Sequence, residues 1–188
     1  MAAGEALIAR IAADYAAGRA YLDRLSGPFL LAIVDPARRT AVIASDRFGI
    51  LPVYYAAGPA GFVFASRLSA VRAHPEVATA LDPQAIYDYV FYHCVPSPRT
   101  IFQGIAKLRP AETLTWEDGR AGIRTHWLPR FATAPAADPA ALARALPDLL
   151  AEAVARQKGN APNGAFLSGG LDSSSVAGML KRVQGGAD

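Results

Sequence analysis

From Phe166 to Gly178 the chain reads Phe-Leu-Ser-Gly-Gly-Leu-Asp-Ser-Ser-Ser-Val-Ala-Gly, and no other stretch limits the local architecture as tightly. Phe166 and Leu167 are apolar and predict the end of a short buried strand. Gly169 and Gly170 follow as a turn with no side chains in the way, open to positive φ. Asp172, Ser173 and Ser174 then stand at a helix entrance, where capping residues are favoured. Val176, Met179, Leu180 and Val183 fall at helical spacing and predict one apolar face. Such an entrance exposes main-chain amides at the positive end of the helix dipole, an anion site suited to phosphate. The hydroxyls of Ser168, Ser173 and Ser174 would add donors. Asp172 repels phosphate directly, so its expected role is magnesium ligand or orienting group. No Gly-Lys-Ser/Thr follows and the string is not Gly-x-Gly-x-x-Gly, which excludes two other glycine-rich nucleotide loops.

The rest of the chain has a different rhythm. Glu5 to Leu25 predicts a helix with Leu7, Ile8, Ile11, Tyr15, Leu22 and Leu25 on one side, interrupted at Gly18. From Pro28 the period shortens. Phe29–Val34 and Ala41–Ala44 predict one hairpin, Val53–Tyr55 and Phe62–Ala65 a second, and Thr113–Trp116 and Ile123–Trp127 a third. Asp82-Pro83 is a helix start, a cap followed by proline at the first position, with Ile86, Tyr89 and Val90 along the helix. The tyrosines 54, 55, 87, 89 and 92 are expected to pack on that strand and that helix. Pro129 to Pro139 is rich in alanine and proline and reads as a linker. A helix from about Ala140 to Arg156 precedes the glycine turn. Hairpins with helices first, then a βα unit, predict two domains of different architecture.

Composition removes several classes of function. The chain has 188 residues, 52% of them hydrophobic and 19% charged, as in a soluble globular protein. A net charge of +3 is carried mostly by scattered arginines, without a basic block, so nucleic-acid binding is not expected. The single cysteine, Cys94, allows no internal disulfide and fits a reducing cytoplasm. No apolar run is long enough to span a membrane, and Glu5, Arg10 and Asp14 interrupt the first apolar stretch. His74, His93 and His126 are too dispersed to predict a metal site. Cys94 lies after His93 at a helix end with no free α-amine beside it, and reads as a buried structural cysteine rather than a nucleophile. Asp46 and Arg47 read as an internal pair at a turn.

The string Ser168-Gly169-Gly170-Leu171-Asp172-Ser173-Ser174 resembles the pyrophosphate loop of the ATP pyrophosphatases, which cleave ATP between its α and β phosphates. Asp46-Arg47-Phe48-Gly49-Ile50-Leu51-Pro52-Val53-Tyr54-Tyr55 resembles the RDxxGxxPLYY stretch of class II glutamine amidotransferase domains. Phe64-Ala65-Ser66 with an alanine-rich helix after it, Pro96 to Leu108, and His126-Trp127 continue the likeness. Together they are similar to asparagine synthetase of the glutamine-hydrolysing type, over nearly the whole chain. The resemblance implies an α+β N-terminal part, half of an αββα amidotransferase-like domain, at residues 1–128. A linker at 129–139 and the first βα unit of an α/β ATP pyrophosphatase domain at 140–188 would follow. It implies ATP-dependent amide formation: aspartate is activated as its β-adenylate and then amidated. ATP and Mg²⁺ are the implied cofactors, with aspartate or another carboxylic acid and ammonia, free or glutamine-derived, as partners. A downstream synthetase polypeptide is a further candidate partner. The residues implied to hold ATP or pyrophosphate are Leu167, Ser168, Gly169, Gly170, Leu171, Asp172, Ser173 and Ser174, with Asp172 on magnesium.

The sequence departs from that pattern in three places. No cysteine follows Met1, so the family's N-terminal nucleophile and glutamine clamp are not matched, no catalytic residue is assigned, and glutaminase activity is not expected of this chain. Arg67 stands where the family commonly has glutamate after Ser66. The likeness stops one helix past the glycine turn, so the strand at Phe166 is expected to lack the neighbours that would complete its ladder. Two alternatives stay open: an inactive remnant or packing subunit, and a relative that forms another amide, such as a β-lactam or a peptide macrocycle.

Overall fold

The computed structural model describes residues 3–58, 61–131, 138–160 and 162–185. It divides into two compact units, Met1–Arg130 and Phe131–Asp188. The first is α+β with antiparallel sheets.

In the first unit, helix α1 (Ala3–Ala16) ends before Gly18, and a short 3-10 turn (Leu22–Arg24) carries the chain to the sheets. Strands β1 (Leu30–Asp35) and β2 (Thr40–Ser45) form the first hairpin. Strands β3 (Tyr54–Gly58) and β4 (Gly61–Ala65) form the second; its turn residues Pro59 and Ala60 lie outside the described residues. Helix α2 (Leu68–Arg72) lies against this hairpin, and helix α3 (Pro83–Tyr92) follows. The two-residue strand β5 (Ala106–Lys107) adds to β3, and β6 (Glu112–Glu117) and β7 (Arg120–Thr125) make the third hairpin. The sheets are ordered β1-β2-β6-β7 and β4-β3-β5.

Alternation decides which way each strand faces. Ile43 lies opposite Leu114 across β2 and β6. Their side chains join Val53 and Leu108 in a buried cluster that Tyr55, Phe62, Phe64 and Trp116 complete. Residues of both sheets fill this cluster, so it is the layer between them. The next residue along, Ala44, turns to the opposite face and packs with Leu22, Leu25, Ile11 and Leu31. That face is where α1 rests.

Three expectations need correction here. Cys94 is exposed: it sits just past the left-handed residue His93 that ends α3. Tyr87, Tyr89 and Tyr92 are also exposed, since α3 buries only Ala85, while Tyr54 and Tyr55 are half-buried in β3. Asp46 and Arg47 do not pair: the Asp46 carboxylate is taken up by nearby amides, and Arg47 reaches the Asp23 carbonyl and the Trp127 ring.

The second unit consists of α4 (Pro139–Gln157) and α5 (Leu171–Val183), packed against each other. Asp138 caps α4 by accepting from the amides of Ala140 and Ala141. Arg182 on α5 donates to Asp148 on α4 at 3.0 Å. The buried strand expected to end at Phe166 and Leu167 is not there. Residues 162–168 carry no regular structure, and Phe166 is 100% exposed and Leu167 69%. A strand of a parallel sheet needs a neighbour on its ladder, and none of the described residues supplies one. Of the expected linker, residues 132–137 lie outside the described residues, as does Ala161.

Candidate functional site

Without its strand, the glycine turn still forms. Ser168 precedes Gly169, whose φ of +83° is reached without strain only by glycine. Gly170 stands at the N-cap of α5, with no side-chain cap bond in its place. The turn is closed by serines. The Ser173 hydroxyl donates to the Gly170 carbonyl at 3.1 Å and accepts from the Ser168 amide at 3.3 Å. Its oxygen also lies 2.9 Å from that of Ser168. Because the single proton of Ser173 goes to Gly170, the Ser168 hydroxyl is the donor between the two. These two hydroxyls bond within the turn and hold it together.

The turn also presents main-chain donors. The amides of Leu171, Asp172 and Ser173 occupy the first helical positions, where no carbonyl precedes them within the helix. The α5 dipole reinforces their positive character. Ser168, Gly169, Gly170, Leu171, Asp172 and Ser174 are exposed and Ser173 is half-buried, so nothing in this unit covers the entrance. No atom stands within 4 Å of where a Gly169 Cβ would be, so substitution there is limited by φ and by whatever approaches from outside.

Asp172 and Ser173 also border a cavity of about 590 Å³ between α4 and α5, with Lys158 on its rim and Leu150, Val154 and Phe166 in its wall. Lys158 was not singled out in the sequence. Its signal, a lone lysine just past the helix before the glycine turn, is weak by itself. Among the described residues no group of three acidic, histidine or cysteine side chains is placed to hold a metal. A magnesium ion commonly takes one or two carboxylates and completes its shell with water and phosphate oxygens, which a single Asp172 satisfies.

In the first unit the Asp46 turn is held by several hydrogen bonds to one carboxylate. Asp46 is 1% exposed. Its Oδ1 accepts from the amides of Phe48 and Ile50 at 3.0 and 3.1 Å, and Oδ2 from Leu51 at 3.0 Å. Burial pushes the carboxyl up, but the amides of Leu51, Ile50 and Phe48, with the Phe29 backbone, outweigh it and hold the group below its ordinary 3.8. Its main-chain carbonyl accepts from Gly49 and Ala111, tying the turn to the start of β6. Gly49 has φ +64°, and a Cβ on it would meet Pro110 Cγ at 3.2 Å. His126 approaches the neighbouring Ser45 carbonyl at 3.0 Å through Nε2. The Asp46 turn is thus a structural clasp.

Comparison with known proteins matches the two units to two families. Residues 5–127 match the glutamine amidotransferase domain, and residues 145–187 match asparagine synthase. Over 159 residues the chain is 33% identical to asparagine synthetase [glutamine-hydrolyzing] 3 of Bacillus subtilis, covering 82% of this chain and 25% of that protein. The chain belongs to the glutamine-hydrolysing asparagine synthetase family. A putative asparagine synthetase [glutamine-hydrolyzing] of Mycobacterium tuberculosis is 31% identical over 173 residues, 88% of this chain and 26% of that one. Amidase chry2 of Gibberella zeae is 28% identical over 180 residues, covering 88% and 25%. The chain spans about a quarter of the length of these relatives. No helix among the described residues is long and apolar enough to cross a membrane.

Proposed function

We propose that this chain carries the nucleotide-loop portion of an ATP-dependent amide ligase of the asparagine synthetase type, joined to a glutamine amidotransferase-like unit. In this reading residues 1–128 are the amidotransferase-like domain and residues 140–188 begin the synthetase domain. The observation that supports it most is the uncapped start of α5, where three amides stand free behind a glycine turn locked by its own serines. A carboxylate is a poor electrophile until it carries a good leaving group, and transfer of an AMP group to the β-carboxylate of aspartate supplies one. The α5 amides would orient the departing pyrophosphate, and Asp172 would hold Mg²⁺ against its oxygens. Bound magnesium would neutralise the charge that develops there. Ammonia, free or glutamine-derived, would then displace AMP.

A second reading keeps the chemistry and changes the amide. The likeness to a protein named as an amidase supports it, because family membership alone does not fix the acid. Both readings are tested by labelled pyrophosphate exchange into ATP, with the remainder of a synthetase domain supplied in trans. Exchange that requires aspartate and is lost in Asp172→Ala supports the first reading. Exchange with another acid but not aspartate supports the second. Full exchange in Asp172→Ala removes the role given to that residue.

A further inference from the structure

We propose that the first unit holds a binding site for a small oxyanion, in the cleft between the end of α1, the 3-10 turn and the end of β7, with Arg124 as principal ligand. The cleft holds about 590 Å³ and is lined by residues of the first unit. Three arginines line it: Arg19 after α1, Arg38 in the β1–β2 turn and Arg124 on β7. Guanidinium groups present planar forks of donors that match carboxylate and phosphate oxygens.

The carboxylates nearby do not use up this charge. Asp14, a buried residue of α1, faces two guanidiniums, Arg24 at 3.3 Å and Arg19 at 3.8 Å. Arg38 is paired with Asp35 at 3.6 Å and held over the Tyr15 ring, 5.6 Å from its centre. One of its N–H groups donates to the Ala16 carbonyl at 3.4 Å. Arg38 is thereby fixed in place with donors to spare. Arg124 has no ion-pair partner among the described residues. Asp23 lines the cleft as well, and it is exposed to solvent.

A neutral phenol, that of Tyr21, belongs to the lining as well. Tyr21 packs edge-on against Tyr15 at 6.1 Å. Burial, then the neighbouring Tyr15, pushes its phenol up against the smaller opposing effect of Arg124, so the hydroxyl remains a neutral donor at physiological pH. A surplus of guanidinium and a neutral phenol fit a ligand rich in acceptor oxygens and poor in protons.

The test is calorimetric titration of the 188-residue chain with inorganic phosphate and, separately, with succinate, at fixed low ionic strength. Saturable binding at one site is expected. Arg124→Gln should weaken it at least about tenfold, as the loss of a charged hydrogen bond predicts. Arg19→Gln should weaken it about threefold, in keeping with an exposed charge, and gives a second reading should Arg124→Gln not fold. Tighter binding of phosphate assigns the site to phosphorylated ligands, and tighter binding of succinate to carboxylates. Gly169→Val should leave the titration unchanged. Affinity unaffected by both arginine variants, absence of saturation with either anion at millimolar concentration, or loss only in Gly169→Val would overturn the proposal.

Discussion

Replacing Asp46 probes whether three amides can hold a turn together through one carboxylate. The carboxylate accepts from Phe48, Ile50 and Leu51, and each such bond to a charged acceptor contributes about 1.5 kcal/mol at the low end of the usual range. The low end applies because Phe48, Ile50 and Leu51 are themselves exposed, so water reaches their amides when the carboxylate is gone. Asp46→Ala should therefore destabilise the first unit by about 4.5 kcal/mol. Asp46→Asn keeps one oxygen for Phe48 and Ile50, loses the charge, and turns an N–H toward Leu51; about 2 kcal/mol is expected.

The same carboxyl predicts a dependence on pH. It titrates lower in the folded chain than in the unfolded one, so its stabilisation is complete above the ordinary 3.8 and is lost as pH falls through the folded value. Wild type and Asp46→Asn should differ most at neutral pH and converge in acid. Both tryptophans, Trp116 and Trp127, belong to the first unit, and Trp127 meets Phe48 at 5.6 Å, so urea unfolding followed by fluorescence reports on this turn. A difference below about 0.5 kcal/mol at neutral pH, within the range of a neutral surface substitution, would refute the reasoning. So would a gap that stays constant down to about pH 3.

Gly49→Val should cost about 2 kcal/mol or more by the same assay, since it places a β-branched residue at φ +64° and drives its Cβ toward Pro110. Asp138→Ala removes two bonds to the first amides of α4 and should weaken that helix start by about 1 kcal/mol, read as faster hydrogen exchange over Ala140 to Leu142. Cys94 should react with an aromatic disulfide reagent in the native state as readily as in urea; strong native protection would show that α3 is covered in solution. Gly169→Val should abolish any protection that Mg-ATP confers on the amides of Leu171 to Ser173, because its φ of +83° opposes a branched side chain.

Much of the first unit is legible in its sequence because its signals are local. Alternation places Ile43 and Leu114 inward and Ala44 outward, and Asp82-Pro83 starts α3 where the cap and proline predict. What was not legible depends on partners. Strand β5 is two residues long and exists only because β3 offers Tyr54 and Tyr55 an edge. The exposure of Cys94 and of the α3 tyrosines cannot be read from their apolar spacing, which states what a face would bury and not what arrives to bury it. At the candidate site the turn residues were legible, while the inward use of the Ser168 and Ser173 hydroxyls was not, because two oxygens five residues apart meet only once Gly169 has turned. The absent strand at Phe166 belongs to the same class, a segment whose conformation is set by neighbours.

The central pairing of the four-stranded sheet joins β2 to β6, while everything between them builds the other sheet and its helices. The ladder therefore closes a long loop, whose ordering entropy must be met before the pairing returns any stability. Once formed, the arrangement works in reverse. A cut in the largely exposed segment between Ala73 and Ala80 would leave β2 on one fragment and β6 on the other, still laced by their backbone bonds and by the Asp46 carbonyl on the Ala111 amide. The unit is in that sense a two-piece assembly written on one chain, and a clipped sample would keep its shape on a sizing column while running as fragments under denaturing conditions.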